Sequence, residues 1–180
     1  MSATSNQPTN PNPLSPINFR FSLQRAPNLM YFCQAASVPE LSLGEPLIEN
    51  VFVKLPTPGD KLTYSPLNIR FQVDENLTDW LEIHDWMVGL GFPESYDQSI
   101  HRDPRDNLNN AQFNNSDIFS DGTLVINTSA RNPNIRVLFK DLFPISLSTL
   151  DFDLTQPDIT YLEADVSFGY RSYTIESINA

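Results

Sequence analysis

Few side chains in this sequence have both the type and the spacing that chemistry requires. His84 precedes Asp85, but a helical metal motif needs a second ligand three or four residues later, where the chain carries Met87 and Val88. His101 opens a His-Arg-Asp string like that of a kinase catalytic loop, yet the glycine-rich loop, strand lysine and Asp-Phe-Gly of a kinase are absent. We therefore expect neither histidine to bind a metal or to serve phosphoryl transfer.

Carboxylates crowd one polar stretch of the chain. Two of them could act as a hydrolase pair, and several could bind calcium. The spacing is not that of a calcium loop, however, and the sequence has no Gly-x-Ser-x-Gly, phosphate loop or dinucleotide glycine fingerprint. We predict that the protein is not an enzyme and uses no cofactor and no metal. The carboxylates are those of Asp97, Asp103, Asp106, Asp117 and Asp121.

Cys33 is the one cysteine of the chain, so an internal disulfide is impossible. It lies in the apolar run Leu29–Ala35. A free cysteine in such a run behaves as a small hydrophobic residue, and we expect a buried thiol.

The net charge of −11 and the pI near 4.4 argue against a surface that grips nucleic acid. An acidic surface would instead let DNA pass without adhering, because like charges repel. No basic and apolar leader precedes the first strand, and no apolar run reaches the ~20 residues that span a bilayer, so we expect no signal peptide and no membrane anchor.

Most of the chain alternates between apolar and polar residues, the pattern of half-buried β-strands. The first two strands are expected to form a hairpin across the turn Arg25–Asn28, and Phe143–Ser146 is expected to be a turn. The predicted strands are Ile17–Leu23, Leu29–Ala35, Ile48–Leu55, Lys61–Tyr64, Leu67–Val73, Thr123–Asn127, Ile135–Lys140 and Leu162–Ile175.

One helix is expected between Asn76 and Gly91, with Asn76 as its cap. It carries both tryptophans of the chain. At ~100° per residue, Trp80 and Trp86 lie about 120° apart around the helix axis. One should therefore pack on the subunit's own sheet, while the other becomes a candidate for the outer edge and a subunit interface.

These elements predict a mainly β fold, an antiparallel β-sandwich or barrel with one flanking α-helix. Residues 1–14 carry three prolines and no apolar period, and we expect a flexible N-terminal arm there. Residues 15–180 are expected to form a single domain with a long loop at about 94–122.

Several motifs, in this order, resemble the tail tube proteins of contractile-tailed bacteriophages. The resemblance covers about residues 17–175; residues 1–14 are extra, and the family's late turn has Trp where this chain has Phe143. The matching segments are Asn18–Ala36 with Cys33, Ala35 and Pro39, then Pro58-Gly-Asp60, Asp85-Trp86, Lys140–Pro144 and Leu150–Asp153.

The resemblance implies a structural virion protein of the viral tail, assembled in the host cytoplasm. Copies would form hexameric rings that stack into the inner tube, a conduit for DNA ejection. The implied partners are further copies of the chain, the tail sheath protein, baseplate and terminator proteins, and DNA that passes through the lumen without specific binding. A tube initiator or baseplate hub component of the same fold is one alternative, and a β-sandwich module that binds the host surface is another.

The resemblance also implies roles for particular residues. An extended hairpin at about Val51–Leu67 would contact the next ring, and alternation would turn some aspartates toward the lumen. The interface candidates are Trp80, Trp86, Lys54, Pro56, Gly59 and Asp60. The lumen candidates are Asp151, Asp153 and Asp165.

Overall fold

A single long strand, β9, connects the two layers of the fold. In this computed structural model, which describes residues 12–49, 52–91, 118–155 and 160–178, β9 pairs with three other strands. The described elements are β1 (Phe19–Leu23), α1 (Pro27–Phe32), β2 (Cys33–Ala36), β3 (Leu41–Leu43), β4 (Leu47–Glu49), β5 (Lys54–Pro56), β6 (Leu62–Tyr64), β7 (Leu67–Gln72), α2 (Thr78–Gly91), β8 (Ser120–Asn127), β9 (Pro133–Leu147), β10 (Glu163–Gly169) and β11 (Ser172–Ser177).

Seven of these strands form one antiparallel sheet, in the order β1-β8-β9-β10-β7-β2 with β11 also on β9. The N-terminal part of β9 pairs with β8 and β11, and its C-terminal part pairs with β10. We call β1, β8, β11 and β9 up to Leu142 half-sheet 1. We call β2, β7, β10 and β9 from Phe143 half-sheet 2.

The sheet bends where β9 passes from one half to the other. Asp141 has a φ of 55°, a left-handed conformation that redirects the strand. Arg171, just before β11, lies at the same corner and places its Nε 3.1 Å from the Asp141 carboxylate. The two half-sheets thereby face each other across one core.

The core is made by the inward positions of the alternating strands. Phe21 and Phe139 of half-sheet 1 and Ile69, Phe71 and Phe168 of half-sheet 2 are almost completely buried. Burying each such side chain contributes about 1.5–3 kcal/mol of transfer free energy. The mainly β, antiparallel fold expected from the sequence is thus confirmed.

The flanking helix α2 is present, but its cap differs from the prediction. Leu77, with a φ of 56°, precedes the first helical residue, and its carbonyl accepts the first helical bond from the Leu81 amide at 2.9 Å. Asn76 therefore lies one residue too early to cap. Ile83 and Trp86 on one side of α2 complete the core.

The opening hairpin was predicted wrongly. Pro27–Phe32 forms a short helix, α1, since proline suits the first helical position. β1 then pairs with β8 and β2 pairs with β7, at opposite ends of the strand order. Asn28 of α1 donates its amide and side-chain nitrogens to the Glu82 carboxylate of α2, at 3.2 and 2.7 Å. The described fold thus has two helices instead of one.

Three other boundaries also differ. The expected strand Ile48–Leu55 is divided between β4, which ends at Glu49, and β5, which begins at Lys54, and these two strands pair with each other. Phe143–Ser146 continues β9 instead of turning, and the last predicted strand breaks at Tyr170–Arg171 into β10 and β11.

The expected N-terminal arm and long loop fall mostly outside the described residues. Residues 12–14 lie beside the segment 128–135, where they line a hollow of about 380 Å³. Of the loop at 94–122, residues 120–122 belong to β8.

Candidate assembly surfaces

A two-stranded arm extends the β2–β7 pair beyond the sheet. β3 pairs with β6, and β4 pairs with β5 farther along. The amide of Ser37 donates to the Asn68 carbonyl at 3.2 Å, and that of Ser65 donates to the Glu40 carbonyl at 3.1 Å. The arm, residues 38–64, therefore continues the same two strands that form one side of half-sheet 2.

The arm has a joint between its two ladders. Gly59 donates its amide to the Gly44 carbonyl at 2.8 Å, and a Cβ at Gly59 would collide with that backbone. Thr57 donates its amide and its hydroxyl to the Pro46 carbonyl, at 3.0 and 2.8 Å. Glycine is thus required at position 59 for the internal geometry of the arm.

The described residues of the arm expose apolar side chains on both ladders. Phe52 near the tip is 93% exposed, and both ladders carry apolar residues with no core beneath them. Exposed apolar side chains in such number make the arm a candidate surface for protein–protein interaction. Its large apolar residues are Val38, Leu41, Leu43, Leu47, Ile48, Phe52, Val53, Leu55, Leu62 and Tyr64.

An aromatic cluster fixes the base of the arm to the corner of the sheet. The Tyr64 ring lies 5.9 Å from the Tyr170 ring and 5.6 Å from the Tyr173 ring, both edge-on. The Tyr170 hydroxyl donates to the Ser65 carbonyl at 2.7 Å. Burial raises the pKa of Tyr170 to about 12, so this donor keeps its proton at neutral pH.

The outward face of half-sheet 2 is a polar ladder formed by β7 and β10. Arg70 lies opposite Asp165, and its Nε donates to the carboxylate at 3.0 Å. One step along, the Ser167 hydroxyl donates to the Asn68 side-chain oxygen at 2.7 Å. The Asp165 carboxylate raises the pKa of Arg70 by hydrogen bonding and by its charge.

Half-sheet 2 has open edges. Within the described part of the chain, β2 pairs only with β7, and β9 from Phe143 onward pairs only with β10. Ile145, near the middle of that part of β9, is half exposed. Open edges present unpaired amides and carbonyls that can pair with another chain.

Half-sheet 1 has a comparable ion pair on its outward face. Arg136 of β9 lies opposite Glu176 of β11, and Nη2 lies 2.6 Å from the carboxylate. The side chains are 46% and 47% exposed, against 51% and 56% for Arg70 and Asp165. The two pairs are close matches on opposite halves of the sheet.

The tryptophans of α2 have different surroundings. Trp86 is 3% exposed and donates its Nε1 to the Ile118 carbonyl at 3.2 Å, so it offers a neighbouring molecule almost no surface. Trp80 is partly buried and stacks on His84, with the ring centroids 5.1 Å apart. The interface role remains a prediction, for which Trp80 has the accessible ring.

The other candidates from the sequence fall into two groups. Lys54, Pro56 and Asp60 lie exposed on the arm, and Gly59 lies half-buried at its joint. Asp151 and Asp153 lie exposed after β9, away from regular strands, and only Asp165 lies on the polar ladder. Hydrogen bonds from the Thr155 hydroxyl and amide lower the pKa of Asp153. Their contacts with other subunits or with the lumen remain predictions.

Sequence reasoning missed the burial of Asp79. Its side chain is fully buried; Oδ1 accepts the Trp80 amide at 2.8 Å and the Asp74 amide at 3.3 Å, while Oδ2 has no partner in the structure. Desolvation raises its pKa, with those amides opposing the shift. The sequence placed Asp79 in the first turn, but nothing in the pattern indicates that the turn is buried.

Within the described ranges, Cys33 and His84 each have a local hydrogen-bond partner. Burial raises the pKa of the Cys33 thiol to about 11, which keeps it protonated at neutral pH. His84 Nδ1 lies 3.1 Å from the Asp85 carboxylate. In the described ranges no three His, Cys, Asp or Glu side chains could hold a metal ion together. His101 and the acidic residues from 97 to 117 lie outside those ranges. Each described helix is too short or too polar to cross a bilayer.

Comparisons with known proteins identify the fold. No protein-family model and no curated sequence matches the chain. A chain from the cryo-EM structure of the anti-feeding prophage baseplate is similar over 94% of this chain and 99% of its own length, with a TM-score of 0.59 and 13% identity.

Two structures of the extracellular contractile injection system PVC are similar as well. A chain from the sheath–tube complex has a TM-score of 0.57 and 15% identity, covering 99% of both chains. A chain from the sheath/tube terminator structure has a TM-score of 0.59 and 16% identity, covering 92% of this chain and 97% of its own. At these identities the likeness shows the fold: it is tail tube-like, of the kind found in contractile systems, as the sequence resemblance implied.

Proposed function

We propose that this protein is the tube subunit of a contractile phage tail. Six copies form a ring, the rings stack into the inner tube of the tail, and DNA leaves through the channel. The protein has a structural role and catalyses no reaction. It assembles in the host cytoplasm and resides in the virion.

The observation that carries this proposal is the combination of open edges and an arm on half-sheet 2. A sheet with two open edges can join copies of itself side by side, and a closed ring of copies has no free edges. The free edge of β2 would pair with the free edge of β9 in the next copy. Four strands from each of six copies would then form a continuous barrel wall.

The arm supports stacking of those rings. Because it continues the β2–β7 pair, it leaves half-sheet 2 along the direction of its strands. Its apolar surface would be buried against the neighbouring ring, and the ladders would extend the channel wall. Contact between unlike surfaces of identical copies produces an open-ended stack, as a tube requires.

The polar ladder supports the assignment of half-sheet 2 to the channel. Its strands carry one arginine against two carboxylates, Glu163 and Asp165, which gives −1 per subunit. DNA would find few free donors on such a face. Half-sheet 1 and α2 then lie on the outside of the tube, where the sheath protein binds. Baseplate and terminator proteins cap the stack at its ends.

A second candidate function is a tube initiator or baseplate hub component. It is favoured by the similarity to a chain of the anti-feeding prophage baseplate structure. Such a component has the same ring contacts but stops after one or a few rings.

Negative-stain electron microscopy of the purified protein over a wide concentration range separates these functions. Long hollow tubes with six-fold rings are expected for the tube subunit. Single six-fold rings that never lengthen would favour the initiator. Monomers at every concentration would contradict both.

A further inference from the structure

We propose that Asp165 masks Arg70 and thereby keeps the channel wall from holding the phosphates of passing nucleic acid. This inference rests on the proposed function, since it requires the polar ladder to face a channel. It assigns Asp165 a role in cargo passage that goes beyond an acidic lumen. Asp165 is paired with the one cationic side chain on the strands of half-sheet 2.

Arg70 is the only cationic side chain among the strand residues of half-sheet 2, all of which the structure describes. Its guanidinium is half exposed on the outward face and meets Asp165 directly across the β7–β10 pair, with Nε 3.0 Å from Oδ1. A guanidinium in this position would bind phosphate well, because its planar donors match phosphate oxygens.

The surroundings hold Asp165 in place for this task. The Ser148 hydroxyl accepts a hydrogen bond from the Asp165 backbone amide at 2.9 Å, and this bond connects β10 to the end of β9. On the next cross-strand pair, the Ser167 hydroxyl is directed to the Asn68 side chain. The polar side chains of the ladder thus form hydrogen bonds with one another, and Arg70 is paired with Asp165.

Stability does not explain the pair. Exposed ion pairs contribute little to folding, and the matching pair Arg136–Glu176 on half-sheet 1 shows that the geometry is not peculiar to one face. The difference lies in placement: in a six-membered ring, six copies of Arg70 would surround the channel. Released together, they would contact several phosphates of one duplex, and affinity rises steeply with the number of phosphates contacted.

Asp165→Asn removes the negative charge opposite Arg70 while keeping the size of the side chain. E176Q releases Arg136 on half-sheet 1 and is the matched control. Wild-type, Asp165→Asn and E176Q tubes are assembled with a short fluorescent DNA duplex and then treated with nuclease. The readout is the fluorescent duplex that survives inside the tubes.

We expect Asp165→Asn tubes to retain at least about tenfold more protected duplex than wild-type or E176Q tubes, and to lose it as salt is raised. E176Q frees a cation on the outside of the tube, so any duplex that it binds should be digested by the nuclease. The double variant R70Q/D165N, which has neither charge, should return to the wild-type level. Asp165→Ala, which also exposes Arg70, serves as the second test if Asp165→Asn does not assemble.

Tubes of Asp165→Asn that protect no more duplex than E176Q tubes would overturn the inference while leaving the proposed function intact. Equal retention by the double variant and Asp165→Asn would also overturn it, because the gain would then not come from Arg70. Wild-type protein that electron microscopy shows to form neither rings nor tubes would contradict the proposed function itself.

Discussion

The sandwich and the arm use apolar residues in opposite ways. In the sandwich, Phe168 is completely buried between the half-sheets and contacts Trp86. In the arm, Phe52 is 93% exposed, and its neighbours on both ladders are exposed as well. The same residue type therefore stabilises the subunit in one region and lies at the surface in the other. We infer that the buried side chains of the sandwich stabilise the subunit and that the exposed side chains of the arm serve the stacking of rings.

Two contacts shape the arm, one at its joint and one at its base. The Gly44–Gly59 approach and the Tyr170–Ser65 hydrogen bond give the arm a defined shape without a core. A segment shaped in this way can present its apolar surface in one orientation, so that less ordering free energy is lost when a partner binds.

The largest effect is expected from truncation of the core phenylalanine. Phe168→Ala should lower the free energy of unfolding by about 3–5 kcal/mol, because it leaves a cavity between the half-sheets. Phe52→Ser should change the free energy of unfolding by less than ~0.5 kcal/mol, because Phe52 is exposed. It should nevertheless shorten the tubes, because the arm then presents less apolar surface to the next ring. Urea unfolding at a concentration where the protein is unassembled measures the first effect, and electron microscopy measures the second. Similar losses of stability in both variants would remove the distinction between the regions.

Next in size is a charge placed on an open edge. Ile145→Lys should abolish rings while leaving the subunit folded, since a lysine on an edge strand opposes pairing with another strand. Ile175→Lys, on the edge strand β11 of half-sheet 1, is the control, because Ile175 is similarly exposed. Sedimentation velocity should show rings for Ile175→Lys and monomers for Ile145→Lys. The reverse result would assign ring closure to half-sheet 1.

A smaller effect is expected at the joint of the arm. Gly59→Ala must displace the Gly44 backbone, so it should redirect the tip of the arm and reduce stacking while rings still form. Gly91→Ala is the control, since a Cβ there meets no atom within 4 Å. The ratio of tubes to single rings in micrographs measures the effect. Normal tubes from Gly59→Ala would show that the tip is not used for stacking.

The smallest effect concerns the buried carboxyl of α2. Burial raises the pKa of Asp79 in the folded protein, which favours its protonated form. The contribution of that form to the free energy of unfolding is fully present below the unfolded-state pKa. It is lost as the pH rises through the folded-state pKa. Asp79→Asn cannot ionise, so its free energy of unfolding relative to wild type should be higher at pH 8 than at pH 3, below the unfolded-state pKa. Denaturant titrations at the two pH values measure this difference. A difference that does not change with pH would contradict the raised pKa.

Much of the sandwich could be predicted because its strands alternate strictly. β1, β7 and β10 bury every second residue, and this period is visible in the sequence. α1 was missed because a short apolar run such as Leu29–Ala35 suits a buried strand as well as a helix. β9 was cut short because Pro144 indicated a turn, although proline is tolerated at the edge of a sheet.

The candidate surfaces were only partly predictable. Alternation identified Asp165 as outward-facing, but its partner Arg70 depends on the register of two strands 95 residues apart in sequence. The hairpin of the arm was expected at 51–67, whereas its ladders begin at Leu41. Asp151 and Asp153 alternate with apolar residues as a strand would, yet they lie outside any strand, because alternation alone does not supply a pairing partner.

The central claim, that half-sheet 2 closes a ring through its two open edges, is tested most directly by cross-linking. Gln34 on β2 and Ser146 on β9 are both exposed. The triple variant C33S/Q34C/S146C, treated with a short bifunctional thiol reagent, should give a denaturing-gel ladder that ends at a closed hexamer. Each single-cysteine variant in the C33S background should stay monomeric or stop at a dimer. A triple variant that assembles but yields only monomers would contradict pairing of β2 with β9.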